Sequence, residues 1–269
     1  MIDAPTHHHY LDAQGWGSAG HPLAFAHRGG AEQADLAGLE NTLVAFAHAV
    51  EQGYTYLETD VHVTADGVLV AFHDTVLDRV TDATGVLVEL PWSVVEQARV
   101  GGREPIPSFA DLVEAFPRAR FNIDIKADGA VAPLARFLAE RQIEDRVLVG
   151  SFSGRRLREF RRITGGRVAT SASPLEVAAW VLLPGSLADR LTRGQVAALQ
   201  IPHRHERLLV ASARLVRKAH RRGKHVHVWT IDDPEEMQLL LDRGVDGLMT
   251  DRTDLLKDVL IRRGQWHEQ

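Results

Sequence analysis

The feature that most limits what this chain can fold into is a succession of short β-branched runs separated by longer segments of helical period. Repeated βαβ units have this pattern. Nine runs stand out: Leu23–His27, Thr55–Val61, Val68–Phe72, Arg120–Ile125, Val147–Gly150, Val168–Thr170, Ala197–Ile201, His225–Trp229 and Gly247–Met249. The third is out of pattern. It follows the second across Asp66-Gly67, a tight-turn signal that leaves no room for a crossover helix, so the two must pair antiparallel. The other eight, each with a helical segment after it, predict an α/β fold, a (β/α)8 TIM barrel. Its second strand should overrun the rim, turn at Asp66-Gly67 and come back as an antiparallel hairpin.

Helix signals agree. Asn41–Gln52 sets Leu43, Phe46, Ala47 and Val50 on one face, with Gly53 placed to end it. Ser108 reads as the N-cap of the helix leading to Arg120. Ser212–Arg222 ends at Gly223, while Asp233-Pro234 opens Glu235–Arg243, which ends at Gly244. The Gly- and Thr-rich stretch between His73 and Pro107 exceeds a simple loop and is expected to cap the C-terminal rim. No repeat or linker divides the chain. One domain is expected over residues 23–269, with an insertion at about 75–106 and an N-terminal extension over 1–22.

Composition narrows the chemistry. With 45% hydrophobic residues in 269, the chain can bury one sizeable core. It has no cysteine, which excludes disulfides and thiol catalysis. A net charge of -5 counts against a surface built for nucleic acid. Any phosphate must then be met by a local group of cations. Met1–Gly20 lacks a basic region followed by an apolar run, and no stretch approaches the ~20 apolar residues of a membrane span. A cytoplasmic location is therefore expected, and His7, His8 and His9 read as an inert polar run.

Counting outward from a two-residue turn at Asp66-Gly67 sets Asp60 opposite His73, with Glu58 on the same strand face. His27-Arg28-Gly29-Gly30 closes the first strand, where the glycines would let backbone approach an anionic ligand. Asp124 and Lys126 of "FNIDIK" share a face at the end of the next barrel strand. Glu58, Asp60 and Asp124 together suit a hard divalent cation, Mg2+ or Ca2+. Arg28 and Lys126 supply positive charge for phosphate. Gln200, a polar residue near a strand end, is a further candidate. Each feature alone has an ordinary reading as a solvated face or a surface ion pair; their gathering at one rim does not.

These residues resemble the glycerophosphodiester phosphodiesterase family. The likeness runs from "AHRGG" and "ENTLVAF" through "YLETDVHVTADGVLVAFHD", "FNIDIK" and "VHVWTIDDPEEM" to "GVDGLMTDR". It implies a barrel with a small insertion after His73-Asp74, and hydrolysis of glycerophosphodiesters to sn-glycerol 3-phosphate and an alcohol. It also implies that His27 and His73 are the acid/base pair, Arg28 and Lys126 contact phosphate, and Glu58, Asp60 and Asp124 hold the metal. Glu40 of "ENT" matches a polar active-site position, and Trp229 a rim tryptophan that would pack on glycerol or the leaving group. There are two departures from the family's pattern: Asp124 stands where Glu is common, and Thr253 where Pro is common.

Other functions remain to be weighed. Pro174–Leu183 sets Leu175, Val177, Trp180, Val181, Leu182 and Leu183 nearly all round a helix, which suggests lipid contact and a lysophospholipase D activity. The bland alternative is a buried helix. A non-catalytic ligand-binding barrel is disfavoured, because every candidate catalytic position is filled. Nucleic-acid hydrolysis lacks an aromatic-basic groove. The basic run Arg155–Arg162 reads as a solvated face, and His203 or His205 as minor rim candidates.

Overall fold

A computed structural model of the chain describes residues 8–11, 21–206 and 208–266. Most of the N-terminal extension, His7 included, lies outside the described residues. Eight parallel strands form the barrel: β1 (Leu23–His27), β2 (Tyr56–Val63), β4 (Arg120–Ile125), β5 (Val147–Gly150), β6 (Ala169–Thr170), β7 (Ala198–Pro202), β8 (His225–Trp229) and β9 (Gly247–Thr250). β3 (Leu69–Ala71) pairs antiparallel with β2 only. The ring is closed more thinly between β6 and β7, by a parallel bridge from Ser171 to Ala198. Ala172 N donates to Ala198 O at 3.0 Å, and Ala197 N to Thr170 O at 2.9 Å.

The helices start where their caps place them. Thr42 accepts from Ala45 N ahead of α1 (Leu43–Glu51), and Ser108 forms a capping box with Asp111 ahead of α2 (Phe109–Ala115). α3 (Val131–Glu140) and α4 (Gly154–Thr164) follow β4 and β5. α5 (Pro174–Leu182) and α6 (Gly185–Leu191) lie between β6 and β7. Ser212 caps α7 (Ala213–His220), Asp233 caps α8 (Pro234–Asp242), and α9 (Thr253–Arg262) ends the fold. In α5 Trp180 is fully buried and Val177 and Val181 pack on the core, while Leu175 and Leu182 remain exposed. The outer core lies between strands and helices. An inner cluster fills the lower barrel, where Tyr10, fully buried, accepts through its carbonyl from Tyr56 OH at 2.7 Å.

The hairpin corrects the predicted register by one residue. Val61 pairs with Ala71 and Val63 with Leu69, so Asp60 lies opposite Phe72 rather than His73, and Phe72 N donates to Asp60 O at 3.0 Å. The loop holds three residues, Ala65, Asp66 and Gly67, and Gly67 adopts φ 91. Thr64 N donates to Val68 O and Gly67 N to Thr64 O, both at 3.0 Å. A glycine in the left-handed region then forms a bulge, which spends one more residue than a two-residue turn. Residues 75–106 wrap around β3, sharing a small core of Leu77, Leu87, Val95 and Val100 with Val70 and Phe72 of the hairpin.

At the lower rim, His220 Nε2 donates to Asp246 Oδ2 at 2.8 Å, and the same oxygen accepts from Val226 N at 2.7 Å. This hydrogen bond raises the His220 pKa above 6.5, against partial burial, which lowers it. A raised histidine contributes stability that is full below its unfolded value and is lost as pH rises through its folded value. We expect NMR titration to give His220 a value above the ordinary one, and Asp246→Asn to return it there. Because the pair is partly exposed, the stability lost on raising pH from 6.5 through that value should not exceed about 0.5 kcal/mol.

Candidate active site

Parallel register builds the site row by row at the C-terminal rim. His27 pairs with Glu58 and Glu58 with Asn122; two residues on, Asp60 pairs with Asp124. Paired residues on parallel strands project to the same side, so β1, β2 and β4 bring these carboxylates together. Glu58 and Asp60 are buried, with 5% and 1% exposure. Lys126 Nζ lies 3.0 Å from Asp60 Oδ1 and 2.6 Å from Asp124 Oδ2. Arg28 Nε lies 3.1 Å from Asp60 Oδ2, and Asn41 Nδ2 donates to that oxygen at 3.1 Å.

Charge balance differs among the three acids. Burial would raise Asp60, but Lys126 and Arg28 hold it below the ordinary carboxylate value. Burial, then the charge of Asp60, pushes Glu58 up to about 7 despite His27 and Arg28. Burial also raises Asp124, against the pull of Lys126. Asp124 Oδ1 is buried without a hydrogen-bond partner. An orphaned carboxylate oxygen and a half-protonated neighbour are the marks of a cluster short of positive charge. The all-oxygen donor set of Glu58, Asp60 and Asp124 therefore fits a hard divalent cation. Among the described residues, no three acid or histidine groups stand ready in metal-ligating geometry; Lys126 occupies the space between Asp60 and Asp124.

Each candidate histidine is oriented by a carboxylate. His27 Nδ1 donates to Asp251 Oδ1 at 2.8 Å, leaving Nε2 3.8 Å from Glu58 Oε2. Burial works to lower His27, but Glu58 and Asp251 hold it at about 9. Asp251 is fixed in turn by Asp232, which accepts from Asp251 N and Thr250 Oγ1, both at 2.8 Å. His73 Nδ1 donates to Asp74 Oδ1 at 2.5 Å, and His62 Nε2 donates to His73 O at 3.2 Å. His73 is thus one residue beyond the position opposite Asp60, next to Phe72, whose N donates to Asp60 O.

The two halves are tied by Arg79, carried on the insertion. Its guanidinium donates to Asp74 at 2.5 and 3.1 Å and to Glu40 at 2.7 and 3.0 Å. Arg79, with the bond to His73, holds Asp74 down at about 2. Glu40 also accepts from Arg28 at 3.1 Å, so its carboxylate is taken up between two arginines. Gln200 faces the barrel interior, donating to Asn122 Oδ1 at 2.7 Å with His227 Nδ1 3.4 Å away. Trp229 meets Phe152 edge-on at 5.7 Å, and Lys126 Nζ lies 5.6 Å from the Phe152 ring centre. Phe152 is 64% exposed, an aromatic wall above the cations.

Gly29 and Gly30 serve packing, a correction to the expected approach to ligand. At φ 91 and 77, a Cβ would lie 2.7 Å from Ala45 Cβ and 2.5 Å from Thr253 Cγ2 respectively. His203 is likewise structural, hydrogen-bonded to Glu236 and, at 2.7 Å, to Arg243. Asp251, Asp74, Asn41, Arg79 and Phe152 were not singled out from sequence. The "HD" and "TDR" pairs were the available signals for two of them.

Residues 27–255 match the model of the Glycerophosphoryl diester phosphodiesterase family. The chain belongs to that family. It is accordingly a phosphoric diester hydrolase. A Mycobacterium tuberculosis protein named probable glycerophosphodiester phosphodiesterase 2 is 41% identical over 230 residues, 84% of this chain and 87% of that one. Human lysophospholipase D GDPD1 is 29% identical over 273 aligned positions, 87% of this chain and 85% of its own. The fold is shared with an Oleispira antarctica phosphodiesterase solved in complex with the product sn-glycerol-3-phosphate, at TM-score 0.75 and 23% identity over 91% of this chain and 99% of that one.

Among the described residues, Arg79 joins the Asp74–His73 pair to the Glu40–Arg28 side. Arg79→Ala should lower kcat on the order of 10- to 100-fold by loosening that geometry, with a smaller change in KM and an unchanged circular dichroism spectrum. Arg79→Lys should recover part of the rate. Equal kcat in wild type and Arg79→Ala would show that the link is dispensable.

Proposed function

We propose that the chain hydrolyses glycerophosphodiesters to sn-glycerol 3-phosphate and an alcohol, with His27 and His73 as the acid/base pair. The observation that carries this reading is the pair of histidines, each with Nδ1 tied to a carboxylate, carried at the end of β1 and just after β3, the two strands that adjoin the one bearing Asp60. A histidine fixed through Nδ1 presents Nε2 in a set direction for proton transfer. Family membership and the 41% identical relative support the substrate class.

Arg28 and Lys126 bind the phosphodiester and hold it against the rim; both already act as counter-charges to Asp60. One histidine accepts a proton from the nucleophile, and the other gives its proton to the leaving alkoxide oxygen. The nucleophile is either water or the adjacent glycerol hydroxyl, whose attack gives a cyclic phosphate that water then opens. A divalent cation, Mg2+ or Ca2+, would be held by Glu58, Asp60 and Asp124 and would supply charge neutralisation at the phosphate. Trp229 and Phe152 form the apolar face on which the glycerol or alcohol part rests. Gln200 contributes by holding Asn122 beside Glu58.

A substrate alcohol without an acyl chain is the better reading. The lysolipid alternative drew on residues 174–183, whose largest apolar side chain, Trp180, is spent inside the fold. No helix among the described residues is long and apolar enough to cross a membrane.

Steady-state assays with glycerophosphocholine should show kcat reduced about 100- to 10,000-fold in both His27→Ala and His73→Ala, with melting temperatures near wild type. Unchanged turnover in both would end the proposed acid/base roles. Turnover of lysophosphatidylcholine with none of glycerophosphocholine would replace the substrate class.

Metal binding has its own readout. Added Mg2+ or Ca2+ should raise the melting temperature of the chelator-treated protein by selective binding to the native state. Asp124→Asn should weaken that shift. A wild-type melting curve indifferent to both cations would remove the ligand assignment.

A further inference from the structure

We infer that the flank of the barrel built from α6 and α7 is a docking surface for an anionic lipid bilayer. Charge is the first observation. Residues 183–224 contain ten Lys or Arg and two Asp or Glu, in a chain whose net charge is -5. Arg190, Arg193, Arg214, Arg217, Arg221 and Arg222 are all exposed and make no ion pair among the described residues. Some exposed arginines elsewhere find carboxylates, as Arg141 does with Glu114 and Arg167 with Glu144, and others, such as Arg118, Arg136 and Arg162, stand singly. The flank differs in gathering six on two neighbouring helices and their ends. Cations gathered without counter-ions repel one another, and a fold keeps them together at a cost unless an outside anion compensates.

Apolar exposure coincides with this charge. Leu182, Leu187 and Leu191 are 79%, 44% and 59% exposed. A cleft of about 390 Å³ separates the end of α5 from α7, with Leu182, Leu183 and Pro184 on one side and Arg214 and Arg221 on the other. Lys218 spans it, donating to Val181 O at 3.3 Å and Leu183 O at 3.0 Å. Burial, then repulsion from Arg214 and Arg221, holds the Lys218 pKa below the ordinary value.

Arginines beside exposed leucines match the two layers of a lipid interface, phosphate outside and hydrocarbon beneath. A nucleic-acid groove would interleave aromatics for base stacking, and the exposed apolar residues here are aliphatic. The flank lies on the outer helices, whereas His27 and His73 lie at the rim. Docking therefore leaves the barrel mouth open to water. This inference does not depend on the hydrolytic reading.

The full chain should sediment with phosphatidylcholine vesicles that contain phosphatidylglycerol, not with pure phosphatidylcholine vesicles, and salt should release it. The pair Arg214→Glu and Arg221→Glu should weaken binding by about tenfold or more. The pair Leu182→Ser and Leu191→Ser should weaken it severalfold. Melting curves, and turnover of soluble glycerophosphocholine where wild type shows it, should be unaltered, which separates lost docking from lost folding. Equal binding to neutral and anionic vesicles, or indifference to both variant pairs, would overturn the inference. So would charge variants that abolish binding to duplex DNA, or a dimer in sedimentation, while leaving vesicle binding intact.

Discussion

The Lys126 ammonium between Asp60 and Asp124 is the interaction on which the rest of the site depends. Carboxylates buried together on neighbouring strands repel, and burial removes the water that would screen them. Lys126 and Arg28 let Asp60 stay ionised, while Glu58, farther from Lys126, rises to about 7. The result is a rim that holds negative charge close to its limit. Under the proposed reading, a divalent cation would take over part of that compensation and free Lys126 and Arg28 to meet phosphate. The unpaired Oδ1 of Asp124 is where the remaining deficit is concentrated.

That electrostatic core is held in register from two directions. Below it, β1, β2 and β4 pair without interruption, so His27, Glu58, Asp60 and Asp124 have fixed heights on the barrel wall. Above it, the insertion reaches down through Arg79 to Asp74 and Glu40. The strands set where the groups stand, and the arginine bridge holds Asp74, the carboxylate that accepts from His73. The first loop adds strained backbone, with Arg28 and Asn41 both at positive φ. Asn41 uses that conformation to reach Asp60 and Thr59 together.

Much of this was legible in the sequence, for physical reasons that can be named. Strand periodicity survives because each barrel strand is buried on both faces; Leu23–His27, Arg120–Ile125, Val147–Gly150 and His225–Trp229 were bounded to the residue. The hairpin was foreseen, but its register was not. Asp-Gly serves a two-residue turn and a three-residue bulged loop equally well, and only the bond from Thr64 N to Val68 O selects the latter. Asp251 escaped notice because its partner His27 is 224 positions away, and no local pattern encodes a contact made by ring closure. The glycines after Arg28 were recognised as special but given the wrong neighbour. Their missing side chains admit α1 and Thr253, so they serve the packing that holds the loop.

A net charge of -5 conceals an uneven distribution, because the acids and bases are segregated along the chain. Around the rim, basic side chains are drawn inward to offset buried carboxylates and present little charge to solvent. On the α6–α7 flank Asp189 is taken by Lys224 and Asp246 by His220, so among the described residues the arginines are left without a carboxylate and project outward. The same residue type thus does two kinds of work, decided by whether an acid is buried beside it. At the rim it makes an anionic cluster tolerable, and on the flank it leaves a field that an anionic surface can answer.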